Sequence, residues 1–98
     1  SGYYDVMNKL FFITAMMLNL ETGEVSTKYQ QMVVFYKIEN CHNYIDQNFT
    51  SLKNGFQIYM DYNNIKGELQ SLSCTGLTKE DIKRLELEIE EEDDTLST

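Results

Sequence analysis

The chain has 98 residues, of which 42% are hydrophobic and 24% charged, and its formal net charge is −8. This composition is typical of a globular domain with an apolar core; it excludes a disordered chain, and without an apolar run of roughly 18 residues we expect no membrane binding. A single arginine and the lack of a basic cluster exclude a phosphate-backbone binder, so we expect no direct nucleic-acid binding.

The first predicted element is a β-hairpin. Residues 8–20 are rich in Phe, Ile, Leu and Met, Gly23 lies in a polar turn, and residues 25–38 are extended again. Both strands are apolar on both faces, which indicates burial on two sides. Because one helix cannot cover two faces, we expect the second face to bind a partner or another copy. The side chains expected at this interface are Phe11, Ile13, Met17, Val33 and Phe35.

A change of period then predicts one amphipathic helix. Apolar residues recur in steps of three and four over residues 41–53, Asn40 is placed to cap the helix, and Gly55 follows its end. Apolar and polar residues alternate over residues 56–62, and an extended segment over residues 65–74 follows a turn. The sequence therefore predicts a second hairpin after the helix.

The stretch RLELEIEEEDD, residues 84–94, fits two structures. Thr78 and Asp81 resemble a capping box, which predicts one helical turn over residues 78–83. The leucines and the isoleucine of the stretch share one face only on a strand, and glutamates four residues apart repel each other on a helix. We expect a strand up to residue 91, with a longer helix as the open alternative.

Together these elements predict an α+β fold. Its sheet is mostly antiparallel and has four or five strands, in two hairpins separated by one amphipathic helix that packs on a single face. The last strand is acidic, and a frayed tail follows it. No internal repeat or linker divides the chain, so we expect one domain over residues 1–91 and a flexible acidic tail over residues 92–98.

The negative charge is concentrated at the C-terminal end. Residues 80–98 carry nine acidic against two basic side chains, a net −7, whereas residues 1–79 are nearly neutral. Such a patch attracts a partner with a basic surface, or it protects a sheet edge from unwanted pairing. The acids expected to contact a partner are Glu88, Glu90, Glu91, Glu92, Asp93 and Asp94.

Residues with catalytic or metal-binding chemistry are few. Cys41 and Cys74 match no metal spacing and predict a pair of reduced core thiols, hence a reducing, cytoplasmic compartment. His42 is the only histidine, and it points about 100° away from Cys41 on a helix, which is poor geometry for a Cys–His pair. We therefore expect no enzymatic activity, no cofactor and no metal.

The seven tyrosines have two interpretations. The stretches YQQ at 29–31 and QIY at 57–59 place tyrosine beside glutamine, as on recognition surfaces. Tyrosines half-buried in a sheet have the same pattern.

The sequence thus predicts a small non-enzymatic protein-interaction module that self-associates and docks a protein partner. The abundance of Asn, Lys, Ile and Tyr without proline indicates an AT-rich genome, and we expect an accessory protein of a bacterium or phage. Two alternatives remain open. One is an acidic nucleic-acid mimic that inhibits a nucleic-acid-binding enzyme, and the other is a small-ligand binder or enzyme with a pocket between sheet and helix.

Overall fold

The computed structural model describes residues 8–89 together with residues 96 and 97. The elements in chain order are β1 (Leu10–Asn19), β2 (Val25–Phe35), α1 (Ile38–Tyr62), β3 (Gly67–Leu77), α2 (Lys79–Arg84) and the two-residue β4 (Leu96–Ser97). The first three strands form an antiparallel sheet in the order β3-β1-β2, and β4 lies parallel to the end of β2. The predicted α+β class with one main helix is confirmed, but four or five strands in two hairpins are not.

The first hairpin forms where it was predicted. Asn19 ends β1, and its Oδ1 accepts hydrogen bonds from the backbone N–H groups of Glu21 and Thr22 at 2.8 and 3.1 Å. Gly23 has a φ of 79°, in the left-handed region that glycine adopts without strain. The turn residues therefore select this connection between β1 and β2.

Helix α1 is longer than predicted and replaces the first strand of the predicted second hairpin. Residues 56–62 are helical, and Gly55 lies inside the helix. The alternating pattern was misleading, because Ile58 and Tyr62 are 67% and 85% exposed and therefore do not belong to a buried row. The covered face of α1 instead advances in steps of four residues: Leu52, Phe56, Met60.

Both the start and the middle of α1 depart from the prediction. The N-cap is Lys37, which makes no side-chain capping bond, whereas Asn40 lies within the first turn. Asn48 has non-helical dihedral angles and kinks the helix, and its Nδ2 donates to the backbone carbonyl of Tyr44 at 2.9 Å. The kink divides α1 into two helical segments, one before and one after Asn48.

Strand β1 is buried on both faces, as its apolar run predicts, because successive side chains of a strand point to opposite faces. The side chains buried toward α1 are Ile13, Ala15 and Met17. The opposite, outer face carries a second cluster in which Phe12, Val34 and Leu77 are buried.

The C-terminal segment covers this outer cluster. The chain turns at Glu86, which has a φ of 57°, and residues 87–89 are neither helix nor strand. The predicted strand is therefore wrong, but the apolar side chains of the stretch do share one face. Those packed against the outer cluster from this segment are Ile82, Leu85, Leu87 and Ile89.

Helix α2 confirms the predicted helical turn and its capping box. The hydroxyl oxygen of Thr78 accepts from the backbone N–H of Asp81, and the Asp81 carboxylate accepts from the backbone N–H of Thr78, both at 3.1 Å. That backbone hydrogen bond, followed by one from Arg84, holds the pKa of the Asp81 carboxyl below its ordinary value. The carboxylate therefore stays ionised and caps α2 at neutral pH.

A disulfide between Cys41 and Cys74 joins α1 to β3, with the two Cα atoms 6.2 Å apart. The predicted pair of reduced thiols is wrong, because β3 pairs Cys74 with Ile13 and so places it in the cluster that contains Cys41. Disulfides persist mainly in oxidising compartments. The cytoplasmic location that we based on reduced thiols therefore has no support from the structure.

Candidate functional site

The five apolar side chains predicted to face a partner lie on the side of the sheet that α1 covers. Ile13, Met17 and Phe35 are buried there, and Phe11 and Val33 are half-buried against the same core. They pack in core clusters that this chain's own helix and sheet form together. The apolar runs of β1 and β2 therefore need no second molecule to bury these positions.

Glu88 is the one predicted acidic contact within the described residues. It is exposed, and its backbone N–H donates to the Oε1 of Gln31 on β2. This bond holds the start of the acidic segment beside β2. The other predicted acids lie outside the described residues: Glu90, Glu91, Glu92, Asp93 and Asp94.

Strand β2 contains an irregular bulge of four residues close to Glu88. Residues 30–33 lie opposite the single residue Ile13 of β1. The side chain of Gln30 fills the bulge: its Oε1 accepts from the backbone N–H groups of Met32 and Val33, and its Nε2 donates to the carbonyl of Val33 at 3.2 Å. The bulge pushes Met32 outward, where its side chain is 85% exposed.

The bulge forms one wall of a groove between β2 and α1, with a volume of about 410 Å³. Leu52, Phe56 and Tyr59 of α1 form the opposite wall. Gly55 leaves open space on this side of the groove, because no heavy atom lies within 4 Å of the position that a Cβ would take there. The volume falls in the range of sites that hold a small molecule or a few side chains.

Lys28 is the one charged side chain among the described residues that line the groove. It pairs with Ala15 across the hairpin, so its side chain lies on the α1 side of the sheet. Its Nζ is 4.6 Å from the centroid of the Tyr59 ring, a cation–π contact that positions the ammonium group at the groove.

A second cleft, of about 430 Å³, lies on the other side of the bulge. The described residues that line it are Gln31 and Met32 from β2 and Glu88 and Ile89 from the C-terminal segment. Gln31 and Met32 also line the groove. The bulge therefore lies between the apolar groove, to which Lys28 contributes a cation, and the start of the acidic segment.

The structure brings together the two tyrosine–glutamine stretches. Tyr29, Gln30 and Gln31 line the groove from the sheet, and Tyr59 lines it from the helix. Lys28 was not predicted from the sequence as a residue of the groove, because a single lysine on a strand has no distinguishing pattern. Phe56 was not predicted either, because that residue was assigned to a strand.

In the described part of the chain, residues with catalytic or metal-binding chemistry are dispersed. The sulfur of Cys41 is bonded to Cys74, so it is not available as a nucleophile beside His42. Within residues 8–89, no group of three or more His, Cys, Asp or Glu side chains is arranged to hold a metal ion. None of the described helices is long and apolar enough to cross a membrane.

Comparisons with known proteins identified no relative of this chain. No protein-family model matches the chain, and no curated protein or solved structure is significantly similar to it.

Proposed function

We propose that the protein is a small, non-enzymatic interaction module that docks a protein partner along β2. The observation that supports this most is the groove between β2 and α1, with the 85% exposed side chain of Met32 at its rim. In the described part of the chain, no strand pairs with the outer edge of β2 from residue 25 to residue 33. An unpaired strand edge beside an apolar groove is a template for another chain.

The acidic end favours a partner with a basic surface. Glu88 begins the segment that carries it and lies beside Gln31 and Met32, at the same edge as the groove. Concentrated like charge raises the rate of encounter with an oppositely charged surface, and salt screens this effect over about 10 Å at 0.1 M. The acids therefore act mainly on association, while the groove supplies the contact.

Neutralising the acidic end tests this division of roles. We expect Glu91→Gln, Glu92→Gln, Asp93→Asn and Asp94→Asn together to leave the melting temperature unchanged, to slow partner association about tenfold at low salt, and to flatten its salt dependence. Association of captured partner with immobilised wild-type and variant protein, measured from low to high salt, gives these values.

A matched control variant replaces four exposed acidic side chains elsewhere in the chain with the corresponding amides: Glu21, Glu24, Glu39 and Asp46. Both variants change the net charge from −8 to −4. Equal slowing by both would mean that total charge, and not the acidic end, attracts the partner. An unchanged rate in the tail variant would remove the acidic end from the proposal.

Self-association stays a prediction, but it requires a surface other than the five apolar side chains on the α1 side of the sheet, which are buried or half-buried. The uncovered end of the outer sheet face offers Leu18 and Val25, which pair across the hairpin, and Val25 is 54% exposed. A mass from light scattering at micromolar concentration decides whether copies associate.

The groove also favours the small-ligand alternative, since its volume suits a small molecule. Main-chain groups along the edge of β2, which no described strand pairs with over residues 25–33, favour a peptide instead, because they offer a ladder of hydrogen bonds that a small molecule cannot use. The nucleic-acid mimic rests on the acids beyond Ile89, which lie outside the described residues.

A further inference from the structure

The groove and the edge of β2 that pairs with no other strand among the described residues are parts of one surface. Over residues 25–29, β2 pairs residue for residue with β1, so this stretch has regular strand geometry. At residues 30–33 the bulge ends that regularity, and Gln30 occupies the N–H groups of Met32 and Val33. An added strand therefore has about five regular positions before the bulge.

The positions of the side chains dictate what such a strand would carry. In an added strand, every second side chain points to the α1 side of the sheet. One such position faces Lys28, the one cation among the described residues that line the groove. The next lies two residues along the strand, beside Gln30 at the start of the bulge, where Leu52 and Phe56 also line the groove. A carboxylate suits the first position and a large apolar side chain suits the second.

We propose that the groove binds an extended segment of a partner protein, which adds as a strand to the edge of β2 and presents an acidic side chain two residues from a large apolar one. The acidic side chain pairs with Lys28, and the apolar one packs against Leu52 and Phe56. This inference rests on the proposed function and specifies its contact.

Steric and electrostatic features both favour this occupant. The cation–π contact with Tyr59 uses one side of the Lys28 ammonium and leaves other N–H donors for a carboxylate. The space above Gly55 accepts a side chain, because nothing lies within 4 Å of its absent Cβ. Steering by the acidic end and pairing with Lys28 are compatible, since the partner's basic surface and its docking segment are different parts of it.

A display library of random capped decapeptides, selected on the full chain, provides the probe. We expect enrichment of sequences in which Asp or Glu stands two residues from Leu, Ile, Phe or Met, in either order. Binding of a selected peptide should slow hydrogen exchange of amides within residues 25–29 and leave the β3 edge, residues 67–77, unchanged.

Three variants separate the contributions. Gly55→Leu fills the groove and should weaken peptide binding at least tenfold, whereas Asn54→Leu, an exposed neighbour on α1, should not. Lys28→Gln should weaken binding of the acidic peptide about tenfold and leave the matched peptide with Gln in place of the acid unchanged. Since Gly55 and Asn54 are helical and exposed, both leucine variants should fold.

The proposal is overturned if no sequence is enriched, if enrichment lacks the two-residue spacing, or if Gly55→Leu binds as well as wild type. Slowed exchange at residues 67–77 instead of 25–29 would also overturn it, because the peptide would then add to β3. If one of these results is obtained but a photoreactive residue at position 32 still cross-links to a partner protein, the interaction module stands and only the strand-addition mode is removed. If no partner cross-links to position 32 either, the interaction module is removed as well.

Discussion

Replacing Cys41 and Cys74 together with alanine should lower the free energy of unfolding by about 4 kcal/mol. The disulfide closes a loop with a sequence separation of 33 residues, and the chain-entropy model gives about 4 kcal/mol for a loop of this length. The crosslink also fixes the first half of α1, before the kink at Asn48, to β3. Urea unfolding of the oxidised wild type and the double variant measures the difference.

Reduction provides the control for this prediction. Wild type with a reductant should unfold near the urea midpoint of the Cys41→Ala, Cys74→Ala variant, and the reductant should not shift the variant itself. A thiol titration of denatured protein, prepared without reductant, should find no free thiol. Two free thiols and a urea midpoint that ignores the reductant would contradict the disulfide.

Replacing Phe12 with alanine should cost about 3 to 5 kcal/mol, the range for truncating a fully buried phenylalanine. Phe12 is 0% exposed, and it lies on the outer face of the sheet, opposite α1. It can be buried there because Leu85 and Leu87 of the C-terminal segment pack against its cluster. The free energy of unfolding in urea measures the loss.

Phe49→Ala is the matched control, since this phenylalanine is 48% exposed on α1 and the same substitution should change stability by less than about 1 kcal/mol. Leu87→Ala should couple to Phe12→Ala in a double-mutant cycle, because the two side chains belong to one cluster. Independent effects at Phe12 and Leu87 would mean that another surface covers the outer face.

Local signals in the sequence predicted those elements that local chemistry determines. The first hairpin follows from Gly23 and its polar turn, and α2 follows from the reciprocal bonds of Thr78 and Asp81. Burial of β1 on both faces also follows from its continuous apolar run. The signals for these features lie in residues that are close along the chain, although the burial of β1 itself requires α1 and the C-terminal segment to pack on its two faces.

Features that depend on packing between distant segments were missed. The pattern over residues 56–62 fits both a strand and a helix. Which of its side chains are buried depends on how α1 packs against the sheet. The spacing of Cys41 and Cys74 carries no information on pairing, which results from the β1–β3 register. The groove likewise requires the bulge at residues 30–33, where no glycine or proline marks an irregular strand.

Site-specific photo-crosslinking tests the proposed docking surface most directly. A photoreactive amino acid placed at Met32 lies at the rim of the groove, and one placed at Tyr62 lies at the far end of α1; both native side chains are 85% exposed. In cells that make the protein, we expect one discrete cross-linked partner from position 32 and none from position 62. The absence of an adduct at position 32, or the same adducts from both positions, would contradict docking along β2.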